Sequence, residues 1–159
     1  MERKTMRILA IDPSSNIYKT STTGIALLDN ATVIDVWAVP YGIDNLTDWF
    51  QTVGKGLTYD QVVIERYDVK HGDEGRDNST KLVMEHAMGL YPEADCFRNV
   101  GYATDVPDAL LKKLGMWLFT DKTHHHDIRS ACRLALFWAM RNDIQEVVNA
   151  MGNKLYENQ

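Results

Sequence analysis

The chain has 159 residues, of which 45% are apolar and 25% charged, and a formal net charge of −5. That length suits one domain around a single sizeable core and excludes two lobes with a cleft between them; the longest apolar runs, Ile8 to Ile11, Ile25 to Leu28 and Leu134 to Met140, are too short to span a bilayer. The acidity weighs against a nucleic-acid partner, yet between Leu111 and Arg141 six basic residues (Lys112, Lys113, Lys122, Arg129, Arg133, Arg141) stand against two acids (Asp121, Asp127), a patch that reads either as a polyanion-binding surface or as a solvated helix face.

At the N-terminus Arg3, Lys4 and Arg7 are followed by only four apolar residues before Asp12, too few for a signal peptide. The expected location is therefore the cytoplasm, with no membrane contact. Cys96 and Cys132 are too few and too scattered for a disulfide framework or a thiolate zinc site, and both read as reduced structural residues.

Taken in chain order, Arg7 to Asp12, Thr23 to Asp29 and Thr32 to Val39 are β-rich runs, the last two joined by the turn signal Asp29-Asn30-Ala31. They predict three consecutive antiparallel strands. Asp44 to Thr52 predicts a helix capped by Asp44 or Asn45 and ended by Gly54 and Gly56. Gln61 to Glu65 carries a Val-Val-Ile run of the kind found in strands buried on both faces. Arg66 to Asn78 reads as a polar loop, after which Ser79 or Thr80 opens a helix to about Tyr91. That helix has one apolar stripe of Leu82, Val83, Ala87 and Leu90 and a second of Met84, Met88 and Tyr91, so either a partner subunit covers the second stripe or the helix is central and buried. A fifth strand over Asp95 to Gly101, a short helix over Val106 to Leu114, a long one over His124 to Met140 and an amphipathic segment over Asp143 to Leu155 complete an α/β pattern: a mixed five-stranded sheet, three antiparallel strands first, flanked by helices.

Three acids stand out against this frame. Asp12 ends the first strand, Glu65 ends the fourth, and Asp127 lies in the first turn of the long helix, three residues after His124. Side chains at the carboxyl ends of strands in an open α/β sheet converge on one edge, where ligands bind. Carboxylates gathered there repel unless protons or cations neutralise them. An oxygen-rich set with one imidazole suits Mg²⁺ or Mn²⁺, and two such ions roughly 3.5 to 4 Å apart stabilise the attacking and leaving oxygens of an in-line phosphoryl displacement. Each residue also has a plainer reading. Asp12 before Pro13-Ser14 is a turn former, Asp127 favours a helix N-terminus, and the His124-His125-His126 run is a solvated helix start. Glu65 is harder to set aside, because a glutamate directly after three branched apolar residues is partly buried and needs a partner.

The run ILAIDPSS, the later Thr23-Gly24-Ile25-Ala26, the strand VVIE and the H-x-x-D of HHHDIRSACRLAL together resemble the RuvC family of Holliday junction resolvases, in the short form encoded by bacteriophages. The resemblance implies an RNase H-like fold over residues 1–159 as one nuclease domain. It also implies a homodimer and symmetrical nicking of four-way DNA junctions with two Mg²⁺ or Mn²⁺ ions per site, in the host cell cytoplasm if the chain is phage-encoded. Carried over by motif, Asp12, Glu65, His124 and Asp127 are the catalytic metal ligands, Tyr67 stands for the aromatic that helps open the junction, and Lys70, Lys112 and Lys113 contact DNA phosphates. The family usually has Gly after the Asp-Pro, where this chain has Ser14, and the stretch from Asp12 to Gly24 is longer than the typical turn.

Other readings remain open from sequence. An RNase H-like nuclease acting on flaps or RNA/DNA hybrids usually takes an extra acid from its first helix, where this chain offers only Asp44 and Asp48. A sugar-kinase-like nucleotide-binding domain also starts with a strand and an Asp, but the length and the absence of a Gly-rich phosphate loop rank it low. A catalytically silent junction-binding dimer is the third.

Overall fold

Along the first strand Ile8 and Ala10 alternate with Leu9 and Ile11, so both faces are apolar until Asp12, the mark of a strand covered on both sides. The computed structural model, which describes residues 5–14, 18–68, 74–98, 100–119 and 124–157 (backbone only for 74–77), has those two covers. Its elements are β1 (Arg7–Asp12), β2 (Thr22–Asp29), β3 (Thr32–Pro40), α1 (Ile43–Thr52), β4 (Gln61–Glu65), α2 (Glu74–Leu90), β5 (Asp95–Phe97), α3 (Tyr102–Asp105), α4 (Asp108–Lys113), α5 (His125–Arg141) and α6 (Gln145–Glu157), with a single 3-10 turn at Gly54–Gly56. The strands form one sheet in the order β3-β2-β1-β4-β5. β1 pairs antiparallel with β2 and β2 with β3, whereas β1–β4 and β4–β5 are parallel. This is the RNase H-like arrangement, a mixed five-stranded sheet with its three antiparallel strands first.

Helices α1 and α2 cover one face, where Leu9, Ile11, Ile25, Val62 and Ile64 meet Leu46, Trp49, Val83 and Ala87. On the other face Ile8, Ala10, Ala26, Leu28 and Val63 meet Ile128, Ala131 and Ala135 of α5. The segment from α3 to Phe119 and α6 join this second core through Val106, Leu111, Met116, Val147 and Met151. At the expected β2–β3 turn Asn30 takes a left-handed conformation (φ 53°), which its short polar side chain tolerates, and its Oδ1 accepts a hydrogen bond from the Met6 N–H at 2.8 Å.

Several expectations are corrected. α1 is capped by Gly42 (φ 93°) rather than by Asp44 or Asn45; Asp44 lies in its first turn, and the Asn45 side chain donates to the Tyr41 carbonyl at 2.7 Å. α2 begins at Glu74, inside the expected loop, because its first turn is polar and contains Gly75 and so gives no apolar periodicity to read. Ser79 and Thr80, the expected helix start, are buried in its interior. Its covered face takes Val83, Met84, Ala87 and Tyr91 from both expected stripes, while Leu82 and Met88 are exposed, so the helix is neither central nor two-striped. β5 stops at Phe97, short of the expected Gly101, and the four-residue α3 follows where no helix was expected.

Candidate active site

The side-chain alternation that buries Ile8 and Ala10 under α5 continues to Asp12, and the alternation that buries Val63 continues to Glu65. Both carboxylates are therefore delivered to the α5 face of the sheet. They are also neighbours in register, one step beyond the parallel Ile11–Ile64 pair, while Gly24 pairs with Asp12 on its other side. A single row across the sheet thus reads Gly24, Asp12, Glu65, Phe97.

Gly24 is what lets α5 come down on this row. A Cβ there would lie 2.0 Å from the Asp127 carbonyl oxygen and 2.4 Å from its carbon, so no other residue fits without moving the helix backbone. The first turn of α5 consequently rests on β2 with Asp127 beside Asp12. Ser14, at the position where the resemblance expects Gly, closes the start of the hairpin: its N–H and hydroxyl both bond to the Thr23 hydroxyl, at 3.2 and 3.1 Å.

Asp12 lies at the floor of the site beside Glu65 and Ser130, whose hydroxyl donates to the His126 carbonyl at 3.1 Å. Burial, then the charge and hydrogen bond of Glu65, then the charge of Asp127 raise its carboxyl well above the usual range, against a small opposing effect of the Ser130 hydroxyl. Burial also raises Asp127, opposed by His126 and His124. The His124 Nδ1 stands 3.8 Å from Asp127 Oδ2. Among the described residues no three His, Cys, Asp or Glu side chains close on one point; the four form two facing pairs, Asp12 with Glu65 and Asp127 with His124. The donor set still fits a divalent cation. It is three carboxylates and one imidazole, and the proton that Asp12 is driven to keep is a place a cation can take.

Two clefts open beside Asp12, and both are walled by Pro13 and Tyr67. The first, of about 180 Å³, continues past Glu65 to Tyr102, Ser130, Arg133 and Leu134. The second, of about 220 Å³, runs along Ser14, Thr20, Ser21, Thr22 and Thr80 to Asp127. Tyr67 is half-buried, with its backbone N–H on the Met84 sulfur at 3.1 Å, so it is set beside the acids by α2.

Of the expected DNA contacts, Lys70 lies outside the described residues, as do Asp121 and Lys122 of the basic patch. Lys112 and Lys113 are exposed in the last turn of α4, Lys112 with its ammonium 4.6 Å from the Trp117 ring centre. Of the arginines of the patch, Arg129 and Arg133 are half-buried and Arg141 is exposed. Arg129 has its guanidinium carbon 3.8 Å from the Trp117 ring centre and donates to the Trp117 carbonyl at 2.6 Å; Arg141 pairs with Asp105 at 3.1 Å; Arg133 donates to the Val106 carbonyl at 2.9 Å and pairs with Asp108. They tether the segment 102–119 to α5.

Sequence reasoning missed Ser130, Arg133 and Tyr102 as members of the site. For the first two a signal existed: His124, Asp127, Ser130 and Arg133 recur at every third residue, a slanting stripe on one side of a helix. Tyr102 had none, because it reaches the cleft from the start of the four-residue α3, which no periodicity in the sequence marks.

No protein-family model and no curated protein matches the sequence. Among solved structures, the chain is similar to T. thermophilus RuvC in complex with a Holliday junction substrate, with a TM-score of 0.59 at 12% identity, over 88% of this chain and 96% of that one. At that identity the likeness is one of fold, and it agrees with the sheet order and helix placement described above.

Proposed function

We propose that this protein is a divalent-metal-dependent endodeoxyribonuclease of the RuvC type that resolves four-way DNA junctions, working as a homodimer that nicks two strands symmetrically. The observation that carries the reading is the Asp12–Glu65 pair at adjacent strand ends, faced by Asp127 from α5, on a fold similar to that of T. thermophilus RuvC in complex with a Holliday junction substrate. The short bacteriophage form of the family is the version that the sequence motifs suggest. Among the described residues no helix is long and apolar enough to cross a membrane, as such a role allows.

In this reading Asp12, Glu65, Asp127 and His124 hold two Mg²⁺ or Mn²⁺ ions, which when bound supply an activated water and neutralise charge at the phosphorus. Ser130 stands beside Asp12 in the cleft wall, its hydroxyl held by the His126 carbonyl at 3.1 Å. Gly24 sets the height of Asp127 over the sheet. The DNA strand crosses Asp12 with nucleotides in the clefts on either side, and Tyr67, between them, meets the nucleotide at the cut. Lys112 and Lys113, with Lys70, contact phosphates and position the DNA without reading its sequence.

The competing reading as a hybrid nuclease needs an acid from the first helix at the site. Among the described residues neither cleft is lined by Asp44 or Asp48 of α1. Incubating the purified protein with a four-way junction, a flap and an RNA/DNA hybrid of matched length in Mg²⁺ and in Mn²⁺ tests the choice. Preferred cutting of the junction supports the proposal. Preferred cutting of the hybrid or flap, or tight junction binding without cutting in either metal, refutes it.

A further inference from the structure

Arg133 differs from the two other arginines that tether the segment 102–119 to α5. Arg129 and Arg141 line neither cleft, whereas Arg133 forms a wall of the one that holds Asp12 and Glu65. Its side chain is 13% exposed and lies with the guanidinium carbon 5.3 Å from the ring centre of Tyr102, which lines the same cleft. Its Nε–H goes to the Val106 carbonyl, which fixes the plane of the guanidinium, and one terminal nitrogen goes to Asp108. Asp108 itself is 64% exposed, so that end of the ion pair is held in water and is exchangeable.

A guanidinium carries five N–H donors in a planar fork that suits two oxygens of one phosphate, and a fork already oriented loses little entropy on binding. The cleft floor, in contrast, is carboxylate. An anionic strand can enter such a cleft only if positive charge meets it, and among the described residues Arg133 is the cation that lines this cleft. We infer that Arg133, braced by the Val106 carbonyl and the Tyr102 ring, is a phosphate-binding residue that seats the backbone phosphate next to the one being cut. It exchanges Asp108 for that phosphate when DNA arrives. The inference rests on the nuclease reading above and adds to it which side of the acid pair the neighbouring phosphate occupies.

The test compares wild type with Arg133→Gln, Arg133→Lys and Asp108→Asn. It measures affinity for a four-way junction and for a single-stranded oligonucleotide in Ca²⁺ across a salt series, cleavage in Mn²⁺, and thermal melting. Arg133→Gln is expected to weaken DNA binding about ten-fold or more and to lower the slope of log affinity against log salt by about one. Arg133→Lys, which keeps the charge but not the fork, is expected to fall between. Asp108→Asn breaks the same ion pair yet leaves the guanidinium in the cleft, so it is expected to hold or raise the affinity. If Arg133→Gln binds and cuts like wild type, or if Arg133→Gln and Asp108→Asn lose affinity and melting temperature together, Arg133 is only a tether and the inference is overturned. A wild type that binds single strands but neither binds nor cuts junctions, with Arg133→Gln weaker on the single strand, removes the junction reading and leaves the phosphate site standing. A wild type that binds no DNA overturns both.

Discussion

Asp12 and Glu65 stand side by side at the ends of two parallel neighbouring strands, one step beyond the Ile11–Ile64 pair, so that ionising both is costly. Asp12 is driven to keep its proton, by burial first and by Glu65 and Asp127 next. Its folded carboxyl therefore titrates above its unfolded one, and the sign of the linkage follows. The metal-free fold gains stability from Asp12 below the unfolded value of about 3.8 and loses that gain as pH rises through the raised folded value. Asp127, also raised, adds in the same direction. Asp12→Asn removes the Asp12 contribution to this dependence. In EDTA the variant is expected to melt above wild type at about pH 7, by a margin that shrinks toward about pH 4. Melting curves across that range check it, and Mn²⁺ at pH 7 is expected to stabilise wild type more than the variant.

Gly24→Ala is expected to damage the site without touching an acid. The added methyl meets the Asp127 backbone at 2.0 Å, and a helix backbone, unlike the tip of a side chain, cannot step aside cheaply. Overpacking of this kind costs about 1–3 kcal/mol, and here it lifts the turn that carries Asp127 off β2. Denaturant melts are expected to show that loss, with cleavage falling further than the fraction unfolded explains.

Lys112→Ala with Lys113→Ala is expected to weaken binding to every DNA form alike. Both lysines are exposed at the end of α4, where a cation meets phosphate rather than a base edge. The salt slope should fall by about two, and the ratio of junction to duplex affinity should stay near its wild-type value.

Cys132 is fully buried and its thiol is pushed up to about 12, whereas Cys96 is half-buried and raised less. Native protein is expected to react with a thiol reagent at Cys96 alone and slowly, and denatured protein at both. Mass spectrometry of the labelled chain checks this.

Much of this fold was legible because its strands are short, branched and bounded by turn chemistry: β1 and β4 have the boundaries that their residues predict, and the mixed sheet follows from their order. The start of α2 was not legible, since a polar first turn with Gly75 looks like loop until the tertiary contacts at Val83 and Ala87 are known. Nor was its covered face, because Leu82 and Met84 are equally apolar in sequence and only packing decides that Met84 goes in and Leu82 stays out. In the site, strand-end position sufficed to nominate Asp12 and Glu65, and the structure adds that they stand side by side. Gly24 stood in a recognised motif, yet its partner, the Asp127 backbone 103 residues later, is a matter of distance that no local pattern carries. Arg133 was counted only as charge, because its place in the cleft depends on α3 and Tyr102.

The central claim is that this acid row cuts DNA junctions, and it is tested most directly on a synthetic four-way junction with each strand labelled in turn, in Mg²⁺ and in Mn²⁺. Wild type is expected to give paired nicks at symmetric positions on two opposing strands, and Asp12→Asn and Glu65→Gln to lower the rate by about a hundred-fold or more while staying folded. No cleavage by wild type in either metal, or cleavage by both variants at the wild-type rate, would contradict it.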